Sequence, residues 1–212
     1  MNSLNEMQNK LIDIFLKENT LLTTQLLALI IENFEKEDLK KIITDGIDSL
    51  TEKQKELITA TLFYSSYIIL KDKAKAKKII NQKWNNLHYS ERLYKNRTIL
   101  HKTIKKEIEK ATRKGANKED IIKRISKRLN VNMSAAKRLL DTELTYSFNK
   151  SIALKGLSEG YEKFKFIAVV DGKTSDKCLN LHNRTFLLKD MKVGVNVAPL
   201  HPYCRSRIKL LK

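Results

Sequence analysis

Apolar residues recur at spacings of three and four along the first seventy residues, which is the period of amphipathic helices. The first such stripe is carried by Leu4, Met7, Leu11, Ile14 and Phe15. Residues 21–31 are too apolar for a free surface helix, so we expect them to pack in a bundle or against a partner. Two further helices are predicted over residues 38–50 and from Glu52 to about Ile80.

The helical period continues through the middle of the chain. An amphipathic stripe formed by Ile99, Ile104, Ile108 and Ala111 ends at a helix stop, Arg113-Lys114-Gly115. A short helix is predicted over residues 117–129, and another begins at Asn132 or Ser134 and runs to about Ser158. A short turn between these two helices would make them similar to a helix-turn-helix.

The pattern changes after Gly160. Residues 163–170 alternate and are β-branched, which predicts a strand followed by a turn at Asp171-Gly172. Two further short strands are predicted over residues 185–188 and 205–211. The chain is therefore expected to be α+β, with a mainly helical body of long amphipathic helices and a small C-terminal antiparallel sheet.

Composition agrees with long helices, because six glycines and two prolines in 212 residues are few. The two cysteines cannot form a disulfide framework. There is no basic-then-apolar leader, and the longest apolar run, residues 26–31, is too short to cross a bilayer. We expect a soluble protein with a helical region over 1–80, suited to docking a partner, and a second region over 81–212.

Positive charge is concentrated in the middle of the chain. Residues 71–140 carry 22 basic and 6 acidic side chains, whereas residues 1–70 carry 7 and 11. Such a segment favours contact with nucleic acid, although lysine-rich proteins from AT-rich genomes are also basic without binding it. The candidate DNA-binding residues are Lys71, Lys73, Lys75, Lys77, Lys78, Lys105, Lys106, Arg113, Lys114, Lys123, Arg124, Lys127 and Arg128.

Both cysteines lie near the C-terminus, in the knuckles Cys178-x3-His182 and His201-x2-Cys204. Two thiolates and two imidazoles are a ligand set that tetrahedral zinc uses. Pro199 and Pro202 restrict the backbone around His201. We therefore predict a structural zinc site of Cys178, His182, His201 and Cys204. The alternatives are two buried cysteines acting as small apolar residues, a disulfide, and a catalytic metal.

An ordered set of motifs in this region resembles a known family. It comprises Thr142-Glu143, Asp171 after a strand, Thr174, Cys178, and a terminal His201-Pro-Tyr-Cys204-Arg205. With the stretch from Trp84 to about residue 129, it is similar to the phage minor head proteins, whose head-morphogenesis domain is named after protein F of phage Mu. The resemblance covers residues 80–211. The chain departs from the family at Ser175 and Ser206, where many relatives have cysteine, and at Asp141, where many have arginine.

The resemblance implies a minor capsid protein of a phage or prophage that acts in head morphogenesis. Its partners would be a portal protein, double-stranded DNA and, as a further candidate, the major capsid protein, with no membrane. It would lie inside the virion head, after assembly in the host cytoplasm, and would not be an enzyme. The alternatives are a free nucleic-acid-binding module and a metal-dependent nuclease, for which Asp171 is the nearby candidate general base.

Structural roles are predicted for Asp171, Thr174, Glu143 and Arg205. Asp171 is expected to accept hydrogen bonds from the turn around Lys173 and Thr174, although a metal ligand is the alternative. Glu143 is a candidate ion-pair partner for Arg205 or Arg207.

Overall fold

The computed structural model describes residues 2–113 and 115–212. Within them the chain forms six α-helices and three strands. The helices are α1 (Asn2–Glu32), α2 (Leu39–Leu70), α3 (Lys73–Ile80), α4 (Tyr89–Arg113), α5 (Lys118–Ser158) and α6 (Asp176–Leu181). The strands are β1 (Lys163–Ile167), β2 (Thr185–Leu187) and β3 (Arg207–Leu211). The predicted α+β class, with a helical body and a small C-terminal antiparallel sheet, is confirmed.

Two of the predicted helix boundaries are wrong. The helices predicted over residues 38–50 and from Glu52 onward are one continuous helix, α2. Thr51 does not interrupt it, because its hydroxyl donates to the Ile47 carbonyl one turn earlier, at 2.8 Å. The chain breaks instead at Lys71, whose φ is 54°, and Asp72 then caps α3 by accepting from the Lys75 N–H at 3.0 Å.

The second wrong boundary lies between residues 129 and 132, because α5 is continuous from Lys118 to Ser158. Ser134 donates to the Asn130 carbonyl within the helix, at 3.1 Å, instead of capping a new one. Asn132 is buried, and its side-chain oxygen accepts from Gln54 at 3.3 Å. The turn that a helix-turn-helix requires is therefore missing, which removes the main support for the free nucleic-acid-binding module.

The predicted stop before α5 is confirmed. Gly115 has a φ of 63°, and the Ala116 N–H donates to the Ala111 carbonyl at 3.0 Å, as in a Schellman C-cap. Asn117 then accepts from the Asp120 N–H at 2.9 Å and starts α5. Lys114, which belongs to the same predicted stop, lies outside the described residues.

The chain divides into two compact units, each made of two stretches of sequence. The helical unit comprises residues up to Ile58 together with Ser90–Lys137. Its core is formed by aliphatic side chains of α1, α2, α4 and α5, with Ile30, Ile47, Ile104 and Ile125 almost inaccessible to solvent. The predicted boundary at residue 80 stays a prediction.

The sheet unit comprises Thr59–Tyr89 and Arg138–Lys212. Its three strands are antiparallel in the order β2-β1-β3, and Phe164 of β1 pairs with Phe186 on one side and Leu210 on the other. Phe164 and Phe166 point from the central strand into two adjoining clusters of buried residues. The second of these clusters contains both cysteines, so the sheet is the support on which the Cys/His site is built.

Helix α1 exposes much of its apolar surface. Ile14 and Leu21 are 59% and 52% exposed, and Leu29 and Ile31 are also exposed. Its stretch Glu6–Glu32 is long and apolar enough to cross a membrane, judged by length and composition alone, and 28% of its most apolar window is buried. Core helices and signal sequences meet the same criteria, so this stretch is weak evidence for a membrane span. The absence of a membrane partner stays a prediction.

Candidate metal centre and basic surfaces

Three of the four predicted metal ligands converge in the sheet unit. Cys178 Sγ lies 3.3 Å from His201 Nε2 and 3.6 Å from Cys204 Sγ. The three ligand atoms all lie within 4.8 Å of one another, a spacing at which a single metal ion can contact all three. We call Cys178, His201 and Cys204 the Cys2His cluster.

Local backbone structure brings Cys178 to this position. Ser175 caps α6 by accepting a hydrogen bond from the Cys178 N–H at 3.4 Å, so the thiol follows directly on the helix start. Thr145 of α5 donates to the Cys204 carbonyl at 2.7 Å and fixes the other cysteine. The Ser175 cap therefore positions Cys178, and the hydrogen bond from Thr145 positions Cys204.

The imidazole of His201 is oriented for a metal ion. Its Nδ1 lies 2.7 Å from the carbonyl oxygen of Pro202. A carbonyl only accepts, so Nδ1 carries the proton, and the lone pair of Nε2 faces the Ser175 hydroxyl at 2.9 Å and the Cys178 thiol at 3.3 Å. Zinc-binding histidines commonly donate their other N–H to a backbone carbonyl in this way.

Both thiols are buried and are not joined in a disulfide, with Cys178 and Cys204 only 2% and 1% exposed. Burial raises the pKa of the Cys204 thiol, and negative charge on Cys178 raises it further. Without a bound cation, burial therefore favours the neutral form of the Cys204 thiol. A divalent cation would instead favour the thiolates and release their protons.

The structure does not bring His182 into the cluster. His182 follows the end of α6, and its Nδ1 accepts a hydrogen bond from the Ala168 N–H at 3.1 Å. This contact ties the end of α6 to the residue after β1. Of the four predicted ligands, Cys178, His201 and Cys204 therefore meet, whereas His182 lies outside the cluster.

Asp171 forms the turn that its position predicts. It accepts from the Lys173 N–H at 2.9 Å and from the Thr174 hydroxyl at 3.1 Å. Both oxygens of its carboxylate also bind Arg205, at 2.6 and 2.7 Å. This guanidinium holds the pKa of Asp171 well below its usual range. A carboxylate bound in this way is a poor general base.

Arg205 therefore pairs with Asp171, and the predicted pairing of Arg205 with Glu143 is wrong. Arg207 is buried, donates to the Thr145 hydroxyl at 3.3 Å, and lies over the ring of Phe148. Burial lowers its pKa to about 10. Within the described chain, no carboxylate lies within 4 Å of its guanidinium. Glu143 is itself buried on α5.

Sequence reasoning missed the residues of α5 that support this site. Asn149 is completely buried, donates to the carbonyls of Ala198 and Ser206 at 3.1 and 3.2 Å, and accepts from the Ile208 N–H at 3.0 Å. With Thr145 it joins α5 to the segment that carries His201 and Cys204. The available signal was the run of residues 144–149, in which Leu, Tyr and Phe alternate with the small polar residues Thr, Ser and Asn.

The candidate DNA-binding residues fall into two groups, one in each unit. The α3 surface comprises Lys71, Lys73, Lys75, Lys77 and Lys78, all exposed above the buried Ala76 and Ile79. The α4–α5 surface comprises Lys105, Lys106, Arg113, Lys123, Arg124, Lys127 and Arg128. Arg124 and Arg128 both bind Glu107, and their hydrogen bonds, that of Arg128 above all, lower the pKa of this carboxyl. These two arginines are therefore partly neutralised within the protein.

Comparison with known proteins adds one match. A family model described as phage Mu protein F like protein matches residues 102–209, about half of the chain. The matched segment contains the C-terminal half of α4, all of α5, strands β1 and β2, the first part of β3, and the Cys2His cluster. No curated protein and no solved structure matches the chain.

Proposed function

Because the chain belongs to the phage Mu protein F like family, a family of structural head proteins of phages, we propose that it is a minor head protein that docks on the portal and contacts packaged DNA. The family match over residues 102–209 is the observation that carries this proposal. It would act in head morphogenesis inside the virion, after assembly in the host cytoplasm.

Two exposed lysine clusters support contact with DNA. On the α3 surface, Lys73, Lys77 and Lys78 form no ion pair with any residue that the structure describes. Lys123 and Lys127 on the α4–α5 surface are likewise exposed and without an ion pair within the described chain. Side chains of this kind can neutralise phosphates without first breaking a bond within the protein. Contact with phosphates alone gives binding without sequence preference.

DNA binding can be measured by fluorescence anisotropy with two duplexes of unrelated sequence over a range of salt concentrations. The proposal expects equal affinity for both duplexes and a steep loss of affinity as salt increases. Lys73→Glu/Lys77→Glu and Lys123→Glu/Lys127→Glu test the two surfaces. Lys189→Glu/Lys192→Glu makes the same change in net charge elsewhere and is the control. No binding at low salt, or equal weakening by the control, would remove DNA contact from the proposal.

An apolar groove in the helical unit supports docking of a protein partner. It lies between α1 and α2, has a volume of about 460 Å³, and is lined by Leu22, Leu26 and Leu29 of α1 together with residues of α2. Leu29 is itself exposed. Leu21, which belongs to the same helix but does not line the groove, is also exposed. Apolar surface of this kind, on a segment without excess positive charge, is typical of protein interfaces. The portal as the occupant follows from the family.

Co-expression with each protein encoded beside this gene, followed by affinity capture and a search for a portal protein among the captured partners, tests the partner. We expect Leu21→Glu/Leu29→Glu to abolish capture, because two carboxylates would then replace the apolar contact. Asn9→Glu, at an exposed polar position of α1, is the control and should retain capture. Full capture by the double variant would exclude this face, and no capture by the unmodified protein would exclude the portal.

The Cys2His cluster supports zinc as a bound ion. Two thiolates and one imidazole are soft and borderline ligands that zinc prefers, and His201 already has the tautomer that presents Nε2. Zinc would crosslink α6 to the C-terminal segment. Metal analysis of purified protein should find one zinc per chain, lost in Cys178→Ser/Cys204→Ser and retained in His182→Asn.

A further inference from the structure

We infer that a metal ion held by Cys178, His201 and Cys204 keeps its fourth coordination position open to water or a small anion. This inference rests on the proposed zinc and specifies what that zinc can bind. A closed structural site uses four protein ligands, whereas three protein ligands and one exchangeable position define a site that takes an external ligand.

The first support is that no fourth protein ligand of the usual kind reaches the cluster. His182 Nδ1 accepts the Ala168 N–H, and His182 is absent from the group of atoms that lie within 4.8 Å of one another. Asp171 has both carboxylate oxygens on Arg205, at 2.6 and 2.7 Å. Within the described chain, the three residues of the cluster are the only His, Cys, Asp or Glu side chains that meet at this point.

Ser175 is the nearest remaining donor, with its hydroxyl oxygen 2.9 Å from His201 Nε2. It is a poor candidate for the fourth ligand. A neutral hydroxyl binds zinc far more weakly than a thiolate or an imidazole, and this one already caps α6 by accepting from the Cys178 N–H. Its position nevertheless marks the side of the cluster from which a fourth ligand would approach.

The second support is a small cavity on that same side. Its lining includes Thr174, Ser175, Cys178, His201 and Arg205, and its volume is about 20 Å³. A cavity holds one water once it exceeds roughly 10–15 Å³ and offers polar partners. The hydroxyls of Thr174 and Ser175 are such partners, so the space beside the ligand atoms fits one water or an anion of similar size.

Charge favours an anion in this position. Lys173 and Arg205 both line the cavity, and the carboxylate of Asp171 offsets one of their two positive charges. The Cys2His ligands neutralise a divalent ion without adding excess negative charge, since two thiolates balance its two charges. Hydroxide or azide would therefore enter without repulsion, whereas the cavity is too small for a nucleotide or a peptide.

Cobalt(II) reports on this position, because its visible absorption bands depend on coordination number and ligand type. The full chain, reduced with a phosphine and kept free of oxygen, is loaded with cobalt(II) and then titrated with azide. Loading deprotonates both thiols and should produce thiolate-to-cobalt charge-transfer absorption. We expect azide to shift the visible bands in a saturable manner, as it replaces water.

Two variants make the experiment decisive. Ser175→Cys places a thiol at the open side and should close the site, so that the azide response is lost and cobalt binds more tightly. His182→Asn should leave both the spectrum and the azide response unchanged.

If azide does not change the wild-type spectrum, or if His182→Asn alters that spectrum, the fourth position is occupied by the protein and the inference is wrong. If the full chain binds no cobalt, the zinc proposal itself fails. The wild-type response decides the question even if Ser175→Cys does not fold.

Discussion

Single buried side chains decide how the C-terminal segment is held. Asn149 uses its whole amide on three backbone groups of the segment that carries the cluster. Two residues further along α5, the Ser151 hydroxyl is equally buried but has no hydrogen-bond partner among the residues that the structure describes. The two positions therefore offer a direct comparison between a satisfied and an unsatisfied polar residue on the same helix.

We expect Asn149→Ala to lower the free energy of unfolding by at least about 2 kcal/mol, because each buried group left without its partner costs about 1–3 kcal/mol. Ser151→Ala removes a hydroxyl that makes no hydrogen bond within the described part of the chain, so it should be neutral or stabilising. Urea denaturation followed by circular dichroism measures both. Equal losses in the two variants would contradict the role of the amide.

The ion pair of Asp171 and Arg205 predicts a specific acid dependence. Arg205, through its hydrogen bonds, lowers the pKa of Asp171 in the folded state. The pair therefore contributes stability above the ordinary aspartate pKa of about 3.9, and this contribution is lost as the pH falls through the lowered value. NMR of the carboxyl carbon should show that Asp171 remains ionised at pH values where other aspartates are half protonated.

Arg205→Gln should return this titration to the ordinary range for aspartate. Arg184→Gln removes another exposed arginine of the sheet unit and should leave the titration unchanged. A wild-type Asp171 that titrates normally would show that the pair does not persist in solution.

At the scale of elements, the close contact between α5 and β3 depends on a glycine. A Cβ placed on Gly156 would come within 2.7 Å of a terminal carbon of Leu210. Gly156 is inside the last turns of α5, where alanine would otherwise be the better helix former. Packing against the strand, not helix propensity, therefore explains a glycine at this position.

A double-mutant cycle tests this contact. Gly156→Ala should destabilise the protein in the wild-type background and stabilise it, or have no effect, when Leu210 is also alanine. The coupling between the two changes should be about 0.5–3 kcal/mol, as for residues in direct contact. Gly172→Ala is the control, because a Cβ there meets nothing within 4 Å. Additive effects would show that the strand does not press on the helix.

At the scale of the whole molecule, some of the proposed functional regions lie inside the segment that matches the family and others lie outside it. The cluster lies in the matched segment, and so do all the residues of the α4–α5 surface, whereas the α3 surface and the apolar groove lie outside it. The parts of the chain proposed to meet the portal are thus not those by which the family is identified.

Zinc should stabilise the folded chain, because an ion that binds only the native state raises the apparent stability in proportion to the logarithm of its concentration. We expect zinc to raise the melting temperature of the reduced protein and a chelator to lower it. The melting temperature of Cys178→Ser/Cys204→Ser should not respond to either addition. Calorimetry at several zinc concentrations measures this effect, and an unchanged wild-type transition would argue against binding.

Local patterns were sufficient for much of the fold. Apolar spacing predicted the helical body, alternation after Gly160 predicted the strands, and Gly115 with Asn117 marked a true helix boundary, because each of these signals acts within a few residues. The two knuckles of cysteine and histidine were also visible without coordinates. Such signals need only neighbours in sequence, so a single chain contains them in full.

The remaining features depended on contacts between residues that are close in the folded structure. Thr51 and Ser134 are typical of helix starts, yet each hydroxyl bonds a carbonyl of its own helix, and the long helices α2 and α5 continue through them. Three of the four candidate ligands meet and His182 does not, because a hydrogen bond to the backbone after β1 holds its ring. Asn149 joins residues about fifty positions away. Contacts of that range depend on how the chain packs, and a periodic pattern of residues carries no information about them.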